Sequence, residues 1–160
     1  MAETKIGLGF DAHAFASGRD LIIGGVKIPC EKGLMGHSDA DVLAHSIMDA
    51  ILGAMGKGDI GLHFPDSDPA YKGISSLKLL ARVANLMDNE GFRIKNLDST
   101  VILEKPKISP FYQEMKKNIA ENLKIEESQI NIKATTTEGM GFTGRGEGIF
   151  AQSAVLIERQ

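Results

Sequence analysis

Glycine is abundant in this 160-residue chain (18 residues), and it gathers in four places: Gly7-Leu8-Gly9, Gly24-Gly25, Gly53 to Gly61 and Gly139 to Gly148. Glycine weakens the interiors of helices and strands and favours turns, so these groups read as turns and ligand loops between regular elements. Residues 5–10 predict a strand running straight into Asp11-Ala12-His13. Residues 21–23 and 26–28 flank two glycines and predict a tight hairpin. Ser38 predicts the N-cap of a first helix, with Asp41 as its capping-box partner. Leu43, Ile47, Ile51 and Met55 then recur at helical spacing until Gly56. A long loop over 57–75 follows, and loops of that length are usually functional. Residues 76–90 predict a second helix with Leu77, Leu80, Ala84 and Met87 on one side. Residues 94–103 predict a strand. Ser109-Pro110 opens a third helix, striped by Phe111, Met115, Ile119 and Leu123. Residues 130–136 and 149–157 predict the closing strands.

This order predicts an α+β fold: a mixed four-stranded sheet plus a small hairpin, with the helices on one face. The other face then needs covering, and association of copies is the obvious means. The length suits one domain over 1–160. A net charge of −3 provides no basic field for nucleic acid. The apolar run at 6–10 is too short and too broken by glycine for a signal peptide or a membrane span. Cys30 is the sole cysteine, which rules out an intrachain disulfide and a cysteine-rich zinc site and fits a reducing compartment. The expectation is a cytoplasmic protein, or one of a plastid-type organelle if a transit peptide has been removed.

The four histidines are His13, His37, His45 and His63. In an extended segment Asp11 and His13 point the same way, and Asp41 and His45 share a helix face one turn apart. Asp11, His13 and His45 together offer one oxygen and two nitrogens, a catalytic zinc set with a fourth position open. The plainer alternative makes Asp11 a turn cap and the two histidines part-buried hydrogen-bonding groups. Asp41 reads as a cap, as a support for His45, or as both. Asp59, Asp66 and Asp68 crowd the long loop, where carboxylates among glycines suit a sugar diol, a divalent cation or simply a solvated turn. Thr135-Thr136-Thr137-Glu138 and the glycine run beyond offer hydroxyls and backbone amides for phosphate oxygens. Glu138 adds a hard oxygen for magnesium and Arg145 a bidentate phosphate donor. Strand filler and a wide turn explain the threonines, but not the interleaving of five glycines with Arg145 and Glu147.

Six strings together resemble the 2-C-methyl-D-erythritol 2,4-cyclodiphosphate synthase family along essentially the whole chain. They are Gly-Phe-Asp-Ala-His at 9–13, Gly-His-Ser-Asp-Ala-Asp-Val at 36–42 with His45, and Gly-Asp-Ile-Gly at 58–61. The others are Phe-Pro-Asp-Ser-Asp-Pro at 64–69, Lys-Ala-Thr-Thr-Thr-Glu at 133–138, and Gly-Phe-Thr-Gly-Arg-Gly-Glu-Gly at 141–148. The resemblance implies cyclisation of 4-diphosphocytidyl-2-C-methyl-D-erythritol 2-phosphate with release of CMP, in non-mevalonate isoprenoid synthesis. It also implies a homotrimer with its sheets facing the axis and active sites between subunits. Zinc falls to Asp11, His13 and His45, and a second ion, Mg²⁺ or Mn²⁺, to Glu138. His37 and Thr136 take transition-state stabilisation. Asp59 and Gly61 take the ribose, and the segment around Pro106, with Leu103, Lys107 and Ile108, joins Ala134 in the cytosine pocket. Asp66 and its neighbours Phe64, Pro65, Ser67 and Asp68 take the methylerythritol part, and Ser38, Ile60, Thr135, Thr137, Phe142 and Arg145 complete the expected substrate contacts.

Three positions depart from the family's usual pattern. Gln152 stands near the expected axis, beside Phe10 and Arg145, where many members carry Glu, and His63 stands where Lys is common. Leu103 and Ser109 give the cytosine side a different bulk. Two other functions compete with the cyclase: a zinc hydrolase of phosphate esters and a non-catalytic nucleotide-binding module. The hydrolase lacks an obvious general base beside the ligands, and the binding module predicts nucleotide affinity indifferent to metal.

Overall fold

A computed structural model of the chain describes residues 3–160. Strand β1 (Thr4–Ser17) is followed by the hairpin strands β2 (Leu21–Ile23) and β3 (Val26–Ile28) and a short strand β4 (Lys32–Leu34). Helix α1 (Val42–Met55) leads to the four-residue α2 (Ile60–His63), then to α3 (Ser76–Asn89) and β5 (Phe92–Ile102). Helix α4 (Tyr112–Leu123), β6 (Ile130–Thr135), the single turn α5 (Gly141–Gly144) and β7 (Gly148–Arg159) complete the order.

The main sheet runs β4-β1-β7-β5-β6, with β2 and β3 forming a separate ribbon. All its pairings are antiparallel except β5 with β6, whose parallel junction needs a crossover, here through α4. The mixed sheet, the hairpin and the one-sided helices match the α+β expectation. The strand count does not. Lys32–Leu34 pairs with Phe15 to Ser17 and makes a fifth, edge strand, too short for alternation to announce it. The first helix also begins later than expected: Asp41, not Ser38, is its N-cap and accepts from the Ala44 amide. The loop at 57–75 is partly ordered, because Asp59 and Asp68 each cap a short helical turn.

Helix α1 lies almost fully buried between the sheet and the other helices. It reaches β1 because Gly7 and Gly9 have no side chain: a Cβ there would stand 1.8 Å from the carbonyl oxygens of Ala50 and Ser46 respectively. The Gly7-Leu8-Gly9 group is therefore a contact surface inside a strand rather than a turn. At Gly24 and Gly25 the backbone does turn, with φ of 58° and 71°. Their amides donate to the two carboxylate oxygens of Asp41 at 2.9 and 2.7 Å, so one buried side chain caps α1 and anchors the hairpin.

Inward residues of β5 and β7, such as Leu97, Val101, Ile149, Val155 and Ile157, join the helices in one hydrophobic core. The opposite face leaves Ile6, Leu8, Phe10 and Leu156 exposed at 70, 66, 57 and 40%. Scattered apolar residues are ordinary on a surface; a stripe along adjacent strands marks an interaction face. Phe10 and Gln152 are register partners on that face.

Candidate active site

Asp11 and His13 project from one side of β1, and His45 from the first turn of α1, so the glycine contact between these elements decides whether the three meet. They do. His13 Nε2 lies 2.7 Å from Asp11 Oδ2, His45 Nδ1 lies 3.1 Å from the same oxygen, and the two ring nitrogens are 3.2 Å apart. This is the one group of three or more candidate metal donors among the described residues.

Surrounding hydrogen bonds decide what those atoms present to one another. His13 Nδ1 donates to the Met35 carbonyl at 2.7 Å, which leaves an electron pair on Nε2 of the neutral ring. Ser76 Oγ gives its hydrogen to Asp39 Oδ1 at 2.5 Å, so at 2.8 Å it accepts from His45 Nε2. His45 Nδ1 is then also unprotonated. Two imidazole lone pairs and a carboxylate oxygen thus converge, an arrangement that is repulsive unless a cation or a proton sits among them. Near 3 Å, the donor separations approach those of tetrahedral coordination at about 2.0–2.2 Å. The residues fit a metal ion. Burial pushes the Asp11 carboxyl up, but the two rings outweigh it and leave the group below its ordinary value. Burial likewise pulls His13 down, while Asp11 pulls harder and leaves it raised.

The triad lies on a cavity of about 230 Å³ that also takes in His37, Ser38, Ile60, Gly61, Phe64 and Asp66. Nine expected site residues therefore meet in one place, together with Tyr71 and Leu79, which sequence reasoning missed. Asp59, beside Gly61, caps α2 through the Leu62 amide. His37 Nε2 donates to the Asp68 carbonyl at 3.2 Å. That contact ties the acidic loop to the histidine, while Pro65 and Ser67 stay exposed.

A second cavity, of about 330 Å³, is lined by Leu103, Pro106, Lys107, Ile108, Ala134, Thr135 and Thr136, with Glu104, Ser109 and Tyr112. Its lining shares no residue with the first. Glu138 also stands apart from the triad: Thr136 Oγ1 donates to its carboxylate at 3.2 Å, and its own φ is 53°. Thr137 is held within its loop, its hydroxyl 2.9 Å from that of Thr143 and its amide donating to Glu104 Oε1 at 3.0 Å. Phe142 packs on Phe150 at 5.8 Å, and Arg145 pairs with Glu147 at 2.8 Å.

Sequence reasoning also missed Arg19, whose guanidinium donates to the carbonyls of Gly36 and Ser38 at 2.8 and 2.6 Å and fixes the loop before α1. Nor did it find Asp39, Ser76 or Glu104. No periodicity marks such long-range supports. Asp39 at least lies inside the Gly-His-Ser-Asp-Ala-Asp string.

Fold and site together define an α+β protein with a candidate cation site in one cleft and a separate, largely apolar pocket at the parallel edge of its sheet. Residues 4–158 match the model described as the YgbB family. The chain belongs to that family, the 2-C-methyl-D-erythritol 2,4-cyclodiphosphate synthases. It is 62% identical over 153 residues to the synthase of Caldicellulosiruptor bescii, covering 96% of this chain and 98% of the relative. Among solved structures, the bifunctional IspDF of Campylobacter jejuni superposes with a TM-score of 0.96 at 45% identity, covering all of this chain and 43% of that one. The CDP complex of Plasmodium falciparum IspF gives 0.86 at 36% identity, covering 98% and 97%.

Proposed function

We propose that this chain, as a single domain in a homotrimer, converts 4-diphosphocytidyl-2-C-methyl-D-erythritol 2-phosphate to 2-C-methyl-D-erythritol 2,4-cyclodiphosphate and CMP. The observation that carries this reading is the convergence of three electron-pair donors, from Asp11, His13 and His45, in one cleft. An oxygen of the 2-phosphate bonds to the β-phosphorus as the bridge to the α-phosphate breaks, and CMP leaves with that electron pair. A divalent ion, Zn²⁺ in this reading, supplies positive charge that offsets repulsion between the phosphates and the charge gathering on CMP. Nucleophile and electrophile belong to one molecule, so the protein's task is to hold it folded.

Ser38, Phe64, Pro65, Asp66, Ser67 and Asp68 take the methylerythritol end, and Asp59, Ile60 and Gly61 the ribose. Leu103, Pro106, Lys107, Ile108, Ala134 and Thr135 take the cytosine. His37 and Thr136 brace the transferring phosphate; Thr137, Phe142 and Arg145 shape the loop beside it. Glu138 holds the second cation, Mg²⁺ or Mn²⁺. The two cavities share no lining residue, and the sheet bears an exposed apolar stripe. Both support an assembly in which one chain's triad faces another chain's cytosine pocket around an axis lined by the sheets. No described helix is long and apolar enough to cross a membrane, and the proposed setting is the cytoplasm. Phosphorus NMR of the protein with the diphosphocytidyl substrate tests the reaction. A cyclic diphosphate with CMP is expected; a linear hydrolysis product, or unchanged substrate with metal present, refutes it.

A further inference from the structure

We propose that Asp39 and Ser76 are positioning residues for the cation, fixing the His45 ring so that Nδ1 is its metal-binding atom. The inference rests on the triad binding metal, and it concerns how that triad is kept ready. His45 Nε2 faces two hydroxyls, Ser76 Oγ at 2.8 Å and Ser38 Oγ at 3.2 Å. A hydroxyl can donate as well as accept, so these contacts alone leave the ring's proton free to sit on either nitrogen. Asp39 removes the freedom. Its Oδ1 takes the Ser76 hydroxyl hydrogen and its Oδ2 the Ser76 backbone amide at 3.0 Å. Oδ1 also accepts from the Asp41 amide at 3.2 Å. With its only hydrogen committed, Ser76 Oγ meets His45 as an acceptor, and an unprotonated Nε2 would place two electron pairs face to face at 2.8 Å. Ser38 Oγ accepts from the Ala40 amide and lies farther from the ring nitrogen, with Ser76 Oγ as a second neighbour at 3.5 Å, so the shorter contact with the committed Ser76 hydroxyl sets the tautomer.

The backbone is arranged around this relay. Asp39 and Asp41 flank Ala40, a buried alanine at a φ of 56°, in the left-handed region where an alanine is strained. That turn sends the two carboxylates to different elements. Asp41 reaches the hairpin amides and the start of α1. Asp39 reaches the start of α3, where fully buried Ser76 is the first helical residue. The helix carrying His45 and the helix orienting it are therefore locked through two residues, one apart, of one short loop. A carboxylate acting on a ligand histidine is common in metal sites, where it sets the tautomer and its loss typically lowers metal affinity by roughly 10–100-fold. Here the carboxylate acts through a serine hydroxyl.

The test measures zinc affinity by chelator competition on the full chain, beside thermal unfolding, for Ser76→Ala, Asp39→Asn, Ser76→Thr and His45→Ala. Ser76→Ala and Asp39→Asn are expected to bind zinc roughly 10–100-fold more weakly, with Ser76→Thr, which keeps the hydroxyl, close to the parent. A merely structural pair would shift the unfolding temperature and leave the affinity of the folded protein unchanged, which would overturn the proposal. Nitrogen-15 NMR of the zinc-loaded parent decides the matter even if the variants do not fold: a protected proton on His45 Nε2 is expected, and zinc at Nε2 with the proton on Nδ1 refutes the relay. Retention of zinc by His45→Ala would instead overturn the triad itself, so the two failures are distinguishable.

Discussion

A Cβ at Gly9 would stand 1.8 Å from the carbonyl oxygen of Ser46. Gly9 lies two residues before Asp11, and Ser46 one residue after His45, so a contact with no room for a methyl group sets the separation of the candidate metal donors. Strand and helix meet backbone to backbone, and the three candidate ligands extend from just beyond the meeting point.

Replacing Gly9 with alanine must therefore push α1 off the sheet at the site. Overpacking of this kind costs about 1–3 kcal/mol, to be read from urea unfolding, and zinc affinity should fall with it. A Gly9→Ala protein with unchanged stability would mean that helix and strand are not held at this distance.

Asp41 is wholly buried and accepts from the amides of Gly24, Gly25 and Ala44. Asp41→Ala leaves three donors without an acceptor. At about 1–3 kcal/mol for each buried unpaired group, the loss is expected to exceed that of an ordinary N-cap, about 1 kcal/mol. Chemical denaturation measures it. A loss no larger than that of a simple cap would show that the hairpin does not depend on this side chain.

Acid should release the metal. Burial pulls His13 down, but Asp11 raises it further, leaving it above the ordinary value of 6.5. Because the raised value favours the protonated ring in the metal-free fold, that contribution to apo stability is present below 6.5 and fades as pH rises through the raised value. Metal binding has the opposite sign, since a ligand nitrogen must first lose its proton. Zinc affinity should climb with pH and level off only above 6.5. Calorimetric titration across that range tests it, and a plateau already reached below 6.5 contradicts it.

The exposed stripe gives a prediction about assembly. Sedimentation equilibrium should report three times the 17.2 kDa chain mass. Leu8→Glu, which puts a charge into the stripe, should shift the protein toward the monomer and abolish turnover while each chain keeps its zinc. A trimer unaffected by Leu8→Glu would place the interface elsewhere.

Sequence reasoning succeeds here wherever a local rule governs. The stripe from Leu43 to Met55 and the glycine hairpin follow from short-range patterns, and each forms; Ser109-Pro110 instead forms a 3-10 turn, Ser109–Phe111, that leads into α4 without capping it. Asp11 and His13 were readable as a same-side pair because strand geometry alone aligns them. His45 entered the zinc set only as one option, since nothing local says which strand its helix meets. The glycines that settle this, Gly7 and Gly9, resemble turn residues until the partner backbone is seen. Asp41 was legible as a helix-start residue but not as the hairpin's anchor. Asp39, Ser76 and Arg19 work across 17 to 37 positions of chain, distances at which hydrogen-bonding side chains leave no periodic trace.

Anomalous diffraction at the zinc edge, from crystals grown with zinc and cytidine diphosphate, tests the central claim most directly. The account predicts one peak per chain bonded to Asp11, His13 and His45, touching a diphosphate whose cytosine lies against Pro106 and Ala134 of a neighbouring copy. A peak elsewhere, or a nucleotide held from phosphate to base by one chain alone, would contradict it.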